Sequence, residues 1–241
     1  MKWRSLQELG SSSDLRPLRE IFAERKDAIA QYVPADVQAI HTRTIASLKA
    51  QGFASRALKV GDVLPSFELR DHNSKLVSSA DLLAKGRVVL CFIRGRWCPF
   101  CVSQMEAMSS VAAEIAAAGA AMVAVSPQTA KQAFFMHDQH KLAFPLLVDA
   151  HNELARQFGL VYRVPEEQQV LYSRTFINLP FANGDSSWEL PIPATYVIDR
   201  DGRVMFASVN EDYTDRAEPL EIVKVVRLAR DRDWPSSDRA G

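Results

Sequence analysis

Cys98 and Cys101 stand three apart in RGRWCPFC (94–101), directly after the apolar run VVLCFI (88–93) and directly before a stretch of helix formers. Two thiols at this spacing can form a disulfide with no large backbone movement or supply half of a metal site. A strand that hands over to a helix here places Cys98 near the N-cap. Pro99 then takes the first helical position, where its fixed φ fits and its missing N–H is not missed. Cys101 falls about one turn further on the same side, so both sulfurs meet free backbone N–H groups and the positive end of the helix dipole. That setting favours thiolate over thiol, and Arg94 and Arg96 add positive charge within a few residues.

A zinc site needs a second half, and the sequence offers none. Cys91 lies inside the apolar run, and His137 and His140 lie on a polar stretch. A purely structural disulfide is disfavoured because so small a loop constrains the unfolded chain little. Two chemistries remain open. In one, a thiolate attacks an O–O bond, becomes a sulfenic acid and condenses with the second thiol. In the other, the first cysteine attacks a protein disulfide and the second resolves the mixed intermediate. A third class is a non-catalytic redox sensor or binding module in which the pair only reports oxidation.

The elements that must position this pair are legible from periodicity. VVLCFI is apolar at every position, as a strand buried on both faces must be. A helix from Pro99 to Ala118, a second buried strand AMVAVS (121–126) and a polar helix from Gln128 to about His140 complete a βαβ unit. VGDVLPSFEL (60–69) reads as an edge strand and FPLLVDA (144–150) precedes a short helix over 152–158. ATYVID (194–199), the turn RDG and RVMFASV (203–209) read as a hairpin. A final helix fits 218–231, residues 161–190 read as a long polar insertion, and the tail WPSSDRAG as loose. The fold class is α/β, a mixed central sheet flanked by helices. Before it, residues 1–58 form an N-terminal helical extension, with Leu15, Leu18, Ile21, Phe22 and Ile29 at helical spacing and a second helix from Ala35 to Gln51 ended by Gly52.

The chain of 241 residues can bury a proper core, and its 29 basic side chains balance its 29 acidic ones. No basic excess offers itself to nucleic acid. No apolar run approaches the roughly 20 residues that span a bilayer, and the N-terminus lacks a signal-peptide pattern. A soluble cytoplasmic protein is expected, with three cysteines suited to catalytic thiols kept reduced.

VVLCFIRGRWCPFC, AMVAVSPQT, FPLLVD, LPIPATYVIDRDGRV and DYTDRAEP, in this order from about Lys59 to Arg230, resemble the peroxiredoxin-like branch of the alkyl hydroperoxide reductase and thiol-specific antioxidant family. The resemblance implies a thioredoxin-like domain over 59–241. Its proline loop, with Pro193 in the cis form, would face the sulfurs. It further implies a thiol peroxidase for hydrogen peroxide or organic hydroperoxides, with no metal or organic cofactor, a thioredoxin-type reductant and, at family level, a homodimer. Aligned on the strand and helix, Cys101 takes the attacking position and Cys98 that of the family's threonine, as the resolving thiol. Arg94 takes the place of the shielding proline. The family's arginine before the hairpin falls near Pro193, so another cation must substitute, from among Arg94, Arg96 and Arg216. Thioredoxin-like reductases instead lead with the first cysteine, which makes a protein disulfide oxidoreductase the alternative.

Other residues have plainer readings. Trp97 covers the sulfurs, forms a docking surface for a reductant or simply packs at a strand end, and Cys91 reads as core. His72, His137, His140 and His151 share no ligand spacing, and most of them are expected at solvated surface. Thr195 and Gln128 come near the pocket by analogy of fold alone.

Overall fold

The structure is a computed structural model that describes residues 16–233. Leu15, the start of the expected extension and the tail WPSSDRAG lie outside the described residues. In chain order it runs α1 (Leu18–Tyr32), α2 (Ala35–Gln51), α3 (Phe53–Arg56), β1 (Glu68–Asp71), β2 (Leu76–Ser78), α4 (Ser79–Lys85) and β3 (Arg87–Phe92). There follow α5 (Pro99–Ala117), β4 (Ala120–Ser126), α6 (Ala130–Gln139), β5 (Leu146–Val148), α7 (Glu153–Gln157), β6 (Val161–Arg163) and α8 (Glu166–Arg174). The chain ends with α9 (Leu179–Asn183), β7 (Glu189–Pro191), β8 (Ala194–Ile198), β9 (Val204–Val209) and α10 (Pro219–Asp233).

Seven strands form one sheet in the order β2-β1-β5-β4-β3-β8-β9. β3, β4 and β5 are parallel, while β8 pairs antiparallel to β3 and β9 antiparallel to β8. β3 is buried at every residue, and its side chains divide by the period of two. Val89, Cys91 and Ile93 join the core under α5 and α10, whereas Val88, Leu90 and Phe92 join the core around Phe158 and Tyr196. Helices on both faces therefore hold β3 fixed, and the loop leaving its C-terminal end carries the cysteines.

The expected edge strand differs. Pro65 has no N–H to give a ladder, so Val63 makes one isolated bridge to Arg203 and the strand begins at Glu68. β1 then pairs on both sides, with β2 and β5. Residues 161–190 are also more ordered than a polar insertion implies. β6 and β7 close on each other as a small antiparallel sheet with α8 and α9 between them. Their apolar residues, Tyr162, Val164, Tyr172, Leu179 and Leu190, build a buried cluster with Leu48 of α2.

The N-terminal helices pack onto the same core. α2 ends as expected, with Gly52 in the left-handed region at φ 66°. α1 has no side-chain cap of its own. Its first N–H groups, on Leu18 and Arg19, donate instead to the Glu218 carboxylate at 2.8 Å each. Leu18, Ile21 and Phe22 are buried in the cluster that contains Cys98 and Cys101. Phe22 meets Phe100 of α5 edge to face, with centroids 5.1 Å apart. Removing a buried ring of this kind leaves a cavity at the helix contact, so Phe22→Ala is expected to lower folding stability by about 3–5 kcal/mol in urea unfolding of the reduced protein. An unchanged midpoint would mean that α1 is not seated on this core in solution.

Candidate active site

Cys98 is the N-cap of α5 and Pro99 its first residue, as the sequence predicts. The turn is closed by Cys98 N–H donating to the Gly95 carbonyl at 3.1 Å and Cys101 N–H donating to the Cys98 carbonyl at 3.0 Å. Gly95 has φ 135°, and a Cβ there would stand 2.9 Å from Trp97 Nε1, so a side chain at this position is excluded twice over. Both thiols are reduced, and both are buried, Cys98 2% and Cys101 0% exposed.

The two sulfurs share one proton unequally. Burial alone raises the Cys98 thiol, but three effects outweigh it and bring it down to about 5. They are a hydrogen bond from the Cys101 thiol, the charges of Arg94 and Arg216, and the Cys101 backbone N–H. Cys101 is pushed well above the usual thiol value, first by burial and then by donating its proton to Cys98 and facing the charge there. The lowering falls on Cys98 and the raising on Cys101, so this setting favours charge on the first sulfur and the proton on the second.

Arg94 is the nearest organiser. Its guanidinium is 2% exposed and donates through Nη2 to the Tyr172 hydroxyl. Its cation lies over the rings of Tyr213, at 4.1 Å, and Trp97, at 4.7 Å. Trp97 in turn packs on Tyr172 with centroids 5.3 Å apart. α2 closes this aromatic cage through His41, whose Nδ1 is hydrogen-bonded with the Tyr213 hydroxyl at 2.7 Å and lies 3.1 Å from Gln168 Nε2. Burial and the Arg94 charge hold His41 down at about 4, so it is neutral at ordinary pH. Arg25 of α1 donates to Ser103 Oγ at 2.8 Å and adds a further cation on the Cys98 side.

Arg216 serves the second sulfur. It lies on the segment between β9 and α10, and its Nη2 approaches Cys101 Sγ at 3.9 Å. Its Nε donates to Gln104 Oε1 at 3.1 Å, and Gln104 Nε2 donates to Thr195 Oγ1 at 3.2 Å. Thr195 Oγ1 lies 3.7 Å from Cys91 Sγ. Cys91 is wholly buried, and that burial pushes its thiol up to about 12. It carries no thiolate for redox work.

The sequence-predicted residues therefore separate. Cys98, Cys101, Arg94, Trp97 and Thr195 converge, and Arg216, which nothing in the sequence locates, joins them. Arg96 turns away: it is exposed, with its Nη1 donating to Gln132 Oε1 at 3.0 Å and its cation beside Phe135. Gln128 is buried beneath that loop and accepts from Arg96 N–H at 3.0 Å. Pro193 is buried just before β8, whose Ala194 pairs with Phe92 at the end of β3. The bond before it is trans, as are all described peptide bonds, contrary to the expected cis form. Both neighbours of Pro193 are tied to other segments, Ile192 N–H donating to the Leu160 carbonyl at 2.8 Å and Ala194 standing opposite Phe92 and Val209, which leaves no tight turn of the kind a cis bond makes.

The histidines also depart from solvated surface. His72 is buried and stacks on His137 at 3.5 Å, and His140 pairs with Glu106 at 2.8 Å; His151 alone is largely exposed. Among the described residues no cluster of three or more His, Cys, Asp or Glu side chains could hold a metal. No described helix is long and apolar enough to cross a membrane. Sequence reasoning missed Tyr162, Tyr172, Tyr213, His41, Arg25 and Gln104. The partners of His41, Tyr172 and Gln104 lie on other elements, dozens of residues away, and only Tyr213 and Arg216 fall in a segment that the resemblance had marked.

A mixed sheet whose central strand delivers a thiolate–thiol pair to the N-terminus of the next helix defines a thioredoxin-like dithiol protein. Comparison with known proteins gives the family. Residues 60–207 match the model of the AhpC/TSA family, and the chain belongs to that family as a peroxiredoxin-like enzyme. A peroxiredoxin-named protein of Mycobacterium tuberculosis is 26% identical over 68% of this chain and 92% of its own. The chloroplastic peroxiredoxin Q of rice is 28% identical over 68% of this chain and 66% of its own. The thiol-disulfide oxidoreductase ResA of Bacillus cereus is 22% identical over 70% of this chain and 81% of its own. Among solved structures, the peroxidoxin BcpB of M. tuberculosis superposes with a TM-score of 0.55 at 23% identity, covering 71% of this chain and 97% of that one. The fold is thus the expected thioredoxin-like one.

The proton arrangement has a consequence for stability. An unfolded thiol titrates near 8.5, and Cys98 in the folded protein near 5. A depressed value means stability that is full above the unfolded value and is lost as pH falls from about 8.5 through about 5. The reduced protein should lose this increment over that range relative to Cys98→Ser, measured by chemical unfolding at a series of pH values; parallel curves for the two proteins would contradict the assignment of the thiolate.

Proposed function

We propose that this protein is a dithiol peroxidase in which Cys98 attacks and Cys101 resolves. The observation that carries the reading is the buried cysteine pair at the start of α5, with Arg216 Nη2 3.9 Å from Cys101 Sγ and the buried Arg94 cation lowering the Cys98 thiol. The order of roles is the reverse of the one the resemblance implies, because the electrostatics favour charge on the first sulfur. The Cys98 sulfur attacks one oxygen of the hydroperoxide, the O–O bond breaks, and the other oxygen leaves as hydroxide or alkoxide that takes up a proton. Cys101 then condenses with the sulfenic acid, releasing water and forming the Cys98–Cys101 disulfide. Two electrons from a thioredoxin-type dithiol restore the pair. Arg94 and Arg216 stand in for the family arginine, and Trp97, Pro193 and Thr195 wall the site. A cytoplasmic setting suits three thiols that must start reduced.

The likeness to ResA supports a second reading, a disulfide oxidoreductase that leads with the same Cys98. Stopped-flow oxidation by hydrogen peroxide separates the two. In the peroxidase, Cys101→Ser still reacts fast and accumulates a sulfenic acid on Cys98 by mass spectrometry, while Cys98→Ser loses at least about 10³-fold. If the parent protein reacts with peroxide no faster than free cysteine, yet reduces a protein disulfide rapidly, the oxidoreductase reading replaces it.

A further inference from the structure

Tyr162 is a buried hydroxyl that the reading above does not use. It lies on β6, opposite Leu190 of β7, is 3% exposed, and its OH has no hydrogen-bond partner. An unsatisfied buried hydroxyl is destabilising, while a phenylalanine would fill the same apolar cluster without that cost. The ring packs in the cluster of Tyr172 and Trp97, with Phe53 edge to face at 6.3 Å. Two members of that cluster border the buried cation, Tyr172 by accepting from Arg94 Nη2 and Trp97 by lying under its guanidinium at 4.7 Å, so the phenol belongs to the wall around Arg94. Burial holds its proton more firmly than in an ordinary tyrosine.

Tyr162 does not stand alone in this. Trp97 Nε1 and Arg94 Nε are also buried without a partner, and both can only donate. The neighbouring hydroxyls are already engaged: Tyr172 accepts from Arg94 and Tyr213 bonds His41. The cage around Arg94, whose Trp97 directly precedes Cys98 in the chain, thus holds two unpartnered N–H donors and an unpartnered hydroxyl that can also donate. That is the arrangement required where negative charge develops on an oxygen.

We infer that Tyr162 is a catalytic residue of the peroxidase, the general acid that delivers its proton to the leaving oxygen as the Cys98 thiolate takes the other. This rests on the peroxidase reading. The balance is simple: the S–O bond forms, the O–O bond breaks, the sulfur is oxidised and the peroxide reduced, and the leaving oxygen departs as water or alcohol with the phenol's proton. The phenolate left behind is reprotonated from water. Even a phenol made weaker by burial can protonate hydroxide, whose conjugate acid has a pKa of about 15.7.

The test uses the full reduced chain with the single change Tyr162→Phe, which removes only the oxygen. Its oxidation rate is compared with the parent's for two probes, hydrogen peroxide and peracetic acid. Hydrogen peroxide expels hydroxide, which needs the proton; peracetic acid expels acetate, which does not. The expected result is a loss of about 10²–10³-fold with hydrogen peroxide and an unchanged rate with peracetic acid. Equal losses with both oxidants would assign Tyr162 a structural role, and no loss with either would remove it from the reaction; each overturns the inference while leaving a fast parent enzyme intact. A parent that consumes peroxide no faster than free cysteine would instead bring down the peroxidase reading, and this inference with it.

Discussion

The site is organised around a full positive charge taken out of water. Arg94 is 2% exposed and, among the described residues, has no carboxylate partner. Burying such a cation costs several kcal/mol unless something compensates it. The compensation comes from the Tyr172 hydroxyl that accepts from Nη2, from the faces of Tyr213 and Trp97, and from the negative charge favoured on Cys98. Each charge makes the other tolerable in a dry interior, where their attraction is far stronger than in water. The thiolate is therefore a property of the folded state and not of the dipeptide Cys-Pro alone.

Much of the remaining architecture serves to keep that pair dry and aligned. β3 is clamped between two cores and fixes Arg94 two residues past its last ladder position. Gly95 lets the chain turn without meeting Trp97. The β6–β7 unit supplies Tyr162 and, through α8, Tyr172 and Gln168. α2 supplies His41, and α1 lays Phe22 and Arg25 over the first turns of α5. The helices before β1 are thus part of the wall of the site. A second cation, Arg216, reaches the Cys101 side from the opposite end of the chain and is steered by Gln104.

The parts of this visible in the sequence were those set by local rules. Pro99 after Cys98 marks a helix start, Gly52 marks a helix end, and VVLCFI marks a strand with no solvent face, and all three stand where the residues predict. What escaped was set by contacts between distant segments. Tyr162, Tyr172 and Gln168 fell in a stretch whose polar residues read as a loop, because their burial depends on a partner sheet strand and on α2. Arg94 and Arg96 are indistinguishable by type and spacing, yet one is buried against the thiolate and the other bonds Gln132 at the surface. Alternation along the loop after β3 sends them to opposite sides, and no single-sequence rule covers an irregular loop. The trans bond before Pro193 likewise follows from how β7 runs into β8, which the residues PIPAT do not specify by themselves.

The central claim is that the Cys101 hydrogen bond and the buried Arg94 charge together favour a thiolate at Cys98. Titrating the thiolate absorbance of the reduced protein and of Arg94→Met tests the Arg94 part of it, with Cys101 raised and Cys91 remaining protonated at its value of about 12. The account predicts that Cys98 titrates well below the usual thiol value with Arg94 in place, and that the titration moves up substantially once the guanidinium is removed. The same midpoint in both proteins would contradict it.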